Sequence, residues 1–262
     1  LGMLRLERSM DADTIAALCD GSRFAPEPLS EAERQTLASG SLEGAPAHVA
    51  GDYPEWLDAE LASVFGEARV AEATAMASRA PLDLRVNTLK AKRDHVLDEL
   101  EREGVHAQAC PYASTGLRVG SGLDAKVTKL AAYEGGRVEI QDEASQIAVL
   151  LAGAKAGDTV VDLAAGGGGK ALGLAAQMQN NGRVLACDVD SARLGPLAAR
   201  AARAGATIIE TAGDPYALEL PGRGADIVFV DAPCSGTGTW RRNPEARWTL
   251  TPAKLEAYRA AQ

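Results

Sequence analysis

Thr159-Val160-Val161-Asp162-Leu163-Ala164-Ala165-Gly166-Gly167-Gly168-Gly169-Lys170 is the stretch that decides the fold. Val160 and Val161 are β-branched and lie in a short apolar run that ends on an acid. Two alanines and four consecutive glycines follow, and then Lys170 opens a helical pattern that runs to Met178. This is a buried strand, a glycine turn and a helix. Glycines let a backbone approach a ligand closely, and they place N–H groups at a helix N-terminus. Four in a row cost backbone entropy that a plain turn does not need.

Working outward, the same alternation continues. Asp142–Leu151 reads as a helix capped by Asp142, Asp158–Leu163 as a strand, Lys170–Met178 as a helix and Arg183–Cys187 as a strand. Ser191–Ala204 reads as one helix, and Ala206–Glu210 and Asp226–Val230 as strands. Apolar strands alternating with helices imply a parallel, doubly wound α/β sheet. Upstream the texture differs. Leu82–Asn87 alternates like a strand, Asp94–Glu103 is a helix stopped by Gly104, and Val105–Cys110 and Leu117–Val119 are further strands. The expected organisation is an N-terminal helical segment and linker over 1–80, a small α+β domain over 81–135, and a Rossmann-like domain over 136–262. In the first segment short helices are expected near Asp11–Cys19 and Glu31–Ser39, and two more between Pro54 and Ser78, broken near Gly66.

Three nucleotide chemistries compete for the glycine loop. A phosphate-binding Walker loop needs Gly at 164 and Ser or Thr at 171; Ala164 and Ala171 stand there, so no hydroxyl is available for magnesium. A dinucleotide fingerprint is met loosely by Gly166, Gly168 and Ala171. S-adenosylmethionine asks for an acid at the end of the first strand and another at the end of the second. Asp162 and Asp188 occupy those places. Asp190 suits the cap of the next helix, which leaves Asp188 for ribose hydroxyls. Asp214, after the third strand, could accept from an adenine amino group.

Asp231-Ala232-Pro233-Cys234-Ser235-Gly236-Thr237-Gly238 leaves the carboxyl end of the fourth strand, where ligands bind in open α/β sheets. A thiol beside a carboxylate suits pyrimidine chemistry. Thiolate addition at ring carbon 6 makes carbon 5 nucleophilic, while the acid holds the ring nitrogen and amine.

The chain has 262 residues, a net charge of −9, four cysteines and three histidines. The cysteines are scattered without a CxxC pair, so a zinc site and a disulfide framework are not expected. No apolar run reaches the ~18–20 residues of a membrane span, and no secretory leader pattern is present. A reduced, cytoplasmic setting is the expectation. The acidic balance confines any nucleic-acid binding to local basic patches. Arg241, Arg242 and Arg247 beside Trp240 and Trp248 form one such patch, and Arg85, Lys90, Lys92 and Arg93 another.

Taken with Leu84-Arg85-Val86-Asn87-Thr88-Leu89-Lys90, Gly136–Ser145, Gly213-Asp214, Arg241-Arg242-Asn243-Pro244 and Trp248, these stretches resemble the RNA cytosine-5 methyltransferases of the Fmu/Sun type, which include the bacterial ribosomal-RNA methyltransferase B. The resemblance covers residues 81–262. It implies a Rossmann-like methyltransferase domain behind a small RRM-like α+β domain. It implies that Ala164, Ala165, Gly166, Gly167, Gly168, Gly169 and Lys170, with Asp188, Asp214 and Asp231, hold S-adenosylmethionine and the target base. Cys234, with Asp231, is then catalytic, matching the family's Pro-Cys thiol that helps release the product. Arg85, Lys90, Arg241 and Arg242 are the expected RNA contacts, with ribosomal RNA as partner, no metal, no membrane, and a monomer.

The family's attacking thiol lies in a Thr-Cys-Ser turn after a fifth strand. This chain has neither before Gln262, so the expectation is an incomplete sheet and a C-terminal part beyond Gln262. Two other readings remain: an RNA-binding relative that keeps the fold without the reaction, and a nicotinamide-dependent oxidoreductase. The latter explains neither Asp214 nor the Asp231–Cys234 turn.

Overall fold

The computed structural model describes residues 4–5, 9–120, 127–213, 215, 218, 220, 222 and 224–262. It divides into two compact units: Leu1–Arg79 with Ser235–Leu255, and Ala80–Cys234 with Glu256–Gln262.

The first unit is helical. Its helices include α1 (Ala12–Ala17), α2 (Glu31–Ser39), α3 (Ala47–Ala50), α4 (Asp58–Phe65) and α5 (Arg69–Ala77). Asp11 caps α1 by accepting from the Thr14 amide. Ser30 and Glu33 close a capping box on α2, which satisfies two otherwise orphaned donors. A 3-10 turn at Gly66–Ala68 separates α4 from α5, at the break the sequence predicts.

The second unit holds two four-stranded sheets. The first is built from β1 (Leu82–Val86), α6 (Arg93–Arg102), β2 (Ala107–Ala109), β3 (Gly116–Val119), α7 (Ala131–Glu134) and β4 (Val138–Ile140). Its order is β2-β3-β1-β4, antiparallel throughout. This is the split β-α-β-β-α-β ferredoxin-like arrangement. Leu84, Val86, Val96, Leu100, Leu117, Val119 and Val138 form its core. β4 falls C-terminal to the 81–135 range expected for this domain; a strand of three residues, Val138-Glu139-Ile140, carries little periodicity of its own and is fixed by pairing with β1.

The second sheet follows α8 (Glu143–Ala152), which Asp142 caps through the Ala144 amide. It comprises β5 (Thr159–Asp162), α9 (Gly169–Gln177), β6 (Arg183–Cys187), α10 (Leu197–Ala204), β7 (Ile209–Gly213) and β8 (Ile227–Phe229). The order is β7-β6-β5-β8, all parallel. Val160, Ala171, Leu174, Ala175, Val184, Ala186 and Leu197 are buried together, so small side chains do much of the packing. β8 lies at one edge of this sheet among the described strands; its Val228 and the following Val230 are 56% and 55% exposed.

Two elements differ from expectation. The helix read over Ser191–Ala204 is a 3-10 turn, Ser191–Leu194, and then α10. Pro196 has no N–H to continue the ladder, and Gly195 is a weak helix former. The strand read over Ala206–Glu210 begins only at Ile209. The Ala206 amide is taken by Ala201 O in the turn closing α10, and the Thr207 amide by the Asn180 side chain. No described helix is long and apolar enough to cross a membrane.

Polar side chains stitch the ferredoxin-like sheet to the parallel one. Asn87 donates to Gly136 O and Ala204 O at 2.8 and 2.7 Å. Lys90 donates to Gly135 O and Arg203 O. Glu139 on β4 accepts from Arg200 and Arg203. The approach at Gly136 is too close for any side chain: at φ +67° a Cβ would stand 2.0 Å from Arg203 O.

Candidate active site at the ends of β5 and β8

β5 is the pivot of the parallel sheet, with β6 on one side and β8 on the other. The chain order reverses there, which opens a crevice beyond the carboxyl ends of β5 and β8. The glycine loop leaves β5 into that crevice. Leu163 N donates to Phe229 O and Ala165 N to Cys187 O, so the loop is anchored to both neighbouring strands. Gly166 and Gly168 take φ values of +52° and +80°. A Cβ at Gly168 would stand 2.1 Å from Leu197 Cδ1, so a side chain is excluded there twice over. Gly168 is the N-cap of α9 and offers no side chain to the first-turn N–H groups. Those donors have no capping side chain, an arrangement that suits an anion at a helix N-terminus.

Two arginines brace the loop and a third pairs with the acid beside it. Arg85 on β1 donates to Gly169 O at 2.6 Å. Arg200 on α10 donates to Gly167 O. Arg193 pairs with Asp188 at 3.1 Å. The sequence pattern could have revealed Arg85. It alternates with Leu84 and Val86 on a strand whose neighbour β4 alternates Val138 and Ile140 with Glu139, and Arg85 faces Glu139 in the register.

Two buried acids flank the loop. Asp162, wholly buried, has no hydrogen-bond partner of normal geometry for either carboxylate oxygen among the described residues. Burial pushes its carboxyl up to about 6. Lys170 and the Ala164 amide oppose the shift, and the charges of Asp231 and Asp188 add to it. Asp188 is 1% exposed. It is not the free carboxylate the sequence reading expects. It accepts from Gly166 N and Asp190 N, each at 3.0 Å, and pairs with Arg193. Asp190 caps the following turn as expected, accepting from Ala192 N. A strand end beside a glycine loop offers unpaired N–H groups, and a nearby carboxylate is drawn to them whatever its later role.

On the other wall, Asp231 follows β8 and accepts from Lys170 Nζ at 2.5 Å. This pair joins the glycine loop to the Asp231-Ala232-Pro233-Cys234 turn. The sequence names both residues but not their contact. Cys234 is exposed, whereas Cys19, Cys110 and Cys187 are buried. Asp214 lies outside the described residues.

The basic residues divide differently from expectation. Arg85 is 5% exposed and bonded to Gln141 and Gly169, so it is interior, not an RNA contact. Lys90 is exposed and also donates to two backbone carbonyls. In the helical unit Arg247 is 1% exposed, bonded to Asp52 and 5.3 Å from the Trp240 ring. Trp240 and Arg247 are therefore core there, while Arg241, Arg242 and Trp248 are exposed. Arg241 also donates to Ser78 O and Arg79 O.

One further cluster, Asp83, Cys110 and Glu143, brings three donor atoms within 4.8 Å of one another. Its carboxylates are already engaged. Arg118 bridges Asp83 and Glu143, and Glu143 also accepts from the Tyr112 and Ala113 amides. Burial and the neighbouring carboxylates push the Cys110 thiol up to about 11. This is a structural knot tying the ferredoxin-like sheet to α8.

A parallel sheet in 3-2-1-4 order, a glycine turn after its first strand and an acid after each of the first two define a Rossmann-like domain of the methyltransferase type, joined to a ferredoxin-like domain. Comparison with known proteins agrees. The profile described as 16S rRNA methyltransferase RsmB/F matches residues 148–262, and that of the RsmF/B-like ferredoxin-like domain matches residues 53–126. The probable ribosomal RNA small subunit methyltransferase B of Bacillus subtilis is 31% identical over 208 residues, covering 76% of this chain and 45% of that protein. Its counterpart from Synechocystis is 32% identical over 207 residues, covering 78% and 46%. The crystal structure of PH0851 superposes with a TM-score of 0.73 at 31% identity, covering 90% of this chain and 51% of that one. The chain belongs to the Fmu/Sun-type RsmB/F methyltransferase family. It spans about half the length of the curated relatives it matches.

Proposed function

We propose that this chain forms the cofactor and base site of an S-adenosylmethionine-dependent RNA cytosine-5 methyltransferase acting on ribosomal RNA in the cytoplasm. The observation that carries this reading is the Lys170–Asp231 contact, which sets the glycine loop and the Asp-Ala-Pro-Cys turn on two sides of one crevice. The residues fit the cofactor. Asp162 is a buried acid with no donor of normal geometry among the described residues, and the ammonium of a methionyl group would supply one. The first-turn amides of α9 would meet the carboxylate. Asp188 would accept ribose hydroxyls once Arg193, whose side chain is 54% exposed, swings aside. When bound, the cofactor supplies an electrophilic methyl group.

The protein's own part is positional and acid–base. Asp231 is held by Lys170 and would accept from the cytosine amine, fixing the ring edge. A base flipped out of its stack would bring carbon 6 within reach of a thiolate. Addition there forms an S–C6 bond and places the electron pair at C5. That C5 pair would bond the methyl carbon as the methyl–sulfur bond breaks, leaving a neutral thioether; a base then takes the C5 proton, the C5–H pair re-forms the C5=C6 bond, and the thiolate leaves C6. Cys234 serves either as that nucleophile or as the group that assists release. Incubating Cys234→Ala protein with RNA and the cofactor tests this. A covalent protein–RNA adduct that accumulates assigns release to Cys234, and loss of all adduct assigns attack. Absence of methyl transfer from labelled cofactor to RNA by the wild-type full-length gene product refutes the reading. Of the expected RNA contacts, Lys90, Arg241 and Arg242 are exposed and keep that role.

A further inference from the structure

The ferredoxin-like sheet sorts its side chains between two faces. Leu84, Val86 and Val138 lie in the core with Val96 and Leu100 of α6. Alternation and register place Asp83 and Arg85 of β1, Arg118 of β3 and Glu139 of β4 on the opposite face. On RNA-recognition sheets such a face carries aromatic side chains that stack bases. Here it carries charges, and each is bonded. Arg118 bridges Asp83 and Glu143 of α8. Arg85 donates to Gly169 O. Glu139, 2% exposed, accepts from Arg200 and Arg203 of α10. The face is spent on the parallel-sheet half of the unit.

Glu139 holds two arginines with different destinations. Its Oε2 accepts from Arg200 Nη2 at 2.9 Å, and Arg200 Nη1 goes on to Gly167 O in the glycine loop. Its Oε1 accepts from Arg203, whose guanidinium carbon stands 4.0 Å from the centre of the Tyr133 ring on α7. The first branch therefore ends on the loop and the second on the ferredoxin-like domain. Gly167 lies between Gly166 and Gly168, both in left-handed backbone, so a donor on its carbonyl fixes how the turn's peptide planes lie. The amides on either side are bonded as well, Gly166 N to Asp188 and Gly168 N to Ala165 O. A buried carboxylate aims the guanidinium it holds, because charge-assisted bonds are directional and strong. Without Glu139, the Arg200 side chain, 26% exposed, would turn to water and release Gly167 O.

We propose that Glu139 is a positioning residue for the cofactor: through Arg200 it holds Gly167 O and keeps the glycine loop in the shape that S-adenosylmethionine needs. The ferredoxin-like domain then sets cofactor affinity from β4 without touching the cofactor. This role rests on the loop being the cofactor site. Arg203 is the internal control, since it shares the same carboxylate and its second contact is a ring of the ferredoxin-like domain.

The test compares Glu139→Ala, Arg200→Ala, Arg203→Ala and the Glu139→Ala/Arg200→Ala double variant by two measurements. The first is calorimetric titration with S-adenosylmethionine. Glu139→Ala and Arg200→Ala should each weaken binding about tenfold. The double variant should lose no more than Arg200→Ala alone, and Arg203→Ala should change affinity less than about twofold. The second is hydrogen exchange of the Gly166 and Gly168 amides in the ligand-free chain. Exchange should quicken about tenfold in Glu139→Ala and Arg200→Ala and stay as in wild type in Arg203→Ala. If Glu139→Ala does not fold, Arg200→Ala against Arg203→Ala decides, because both of those side chains are partly exposed. Equal effects of Arg200→Ala and Arg203→Ala would mean that Glu139 only docks one sheet on the other, and would overturn the proposal. Unchanged affinity and exchange in Arg200→Ala would overturn it too. A wild-type chain that binds no S-adenosylmethionine would refute the cofactor reading and the cofactor role of Glu139 with it, while the exchange pattern would still show whether Arg200 holds the loop.

Discussion

Replacing Asp162 by Asn should remove a pH dependence from the stability of the parallel sheet. The side chain is fully buried and lacks a hydrogen-bond donor of normal geometry among the described residues. Its carboxyl is raised from 3.8 to about 6, chiefly by burial. That difference of about two pH units corresponds to ~3 kcal/mol. The sign follows from proton counting. Between these two values the folded chain holds the proton and the unfolded chain has lost it, so stability falls as pH rises. The group costs nothing below about pH 4 and its full ~3 kcal/mol above about pH 7. The Asn side chain keeps the size but cannot ionise. It adds its own unsatisfied amide at every pH, so the height of its curve is uninformative and the slope is the measurement. Hydrogen exchange of the Val161 and Leu185 amides reports the local opening free energy of this sheet from pH 4 to 7.5. Wild type should lose ~3 kcal/mol across that window, and Asp162→Asn should stay flat apart from other titrations. A direct check is the Asp162 carboxyl 13C shift, with a midpoint near 6. Parallel curves for the two proteins, or a midpoint near 3.8, would refute the argument that burial without a donor controls this acid.

If S-adenosylmethionine binds where proposed, its ammonium should draw the Asp162 midpoint below its ligand-free value, read from the same carboxyl resonance. Gly168→Ala should weaken cofactor binding and destabilise the loop by about 2–4 kcal/mol, combining a left-handed backbone penalty with the clash against Leu197; calorimetry and melting check both. Arg241→Ala and Arg242→Ala should each weaken RNA binding and lower the slope of log affinity against log salt by about 1, measured by filter binding at several salt concentrations.

The fold was legible because its signals are local. Val160-Val161 before four glycines, the capping residues Asp11, Ser30 and Asp142, and the strand–helix alternation all act over a few residues, and each element formed close to where those signals place it. The structure moved the reading at Pro196, whose missing N–H divides an apparently continuous helix, and at β4, whose three residues are a strand only because β1 pairs with them. The chemistry-bearing turns were legible for a related reason: glycine runs and a Pro-Cys turn are costly patterns that stand out from their surroundings. Charged residues were not. The alternation of Arg85 with Leu84 and Val86 hints at a strand position, but only packing puts it inside, bracing Gly169, and nothing local shows that Lys90 spans two carbonyls. Asp188, read as free for a ligand, is held by two amides and Arg193.

Sequence alone thus determined which segments become strands, helices and ligand-facing turns, because backbone conformation is governed by neighbours along the chain. Tertiary structure alone decided which charges meet. Lys170 and Asp231 are 61 residues apart and 2.5 Å from each other, and Arg85 reaches across 84 residues to the glycine loop. A long, charged side chain finds its partner through the packing of whole elements, and no spacing in the sequence encodes that distance.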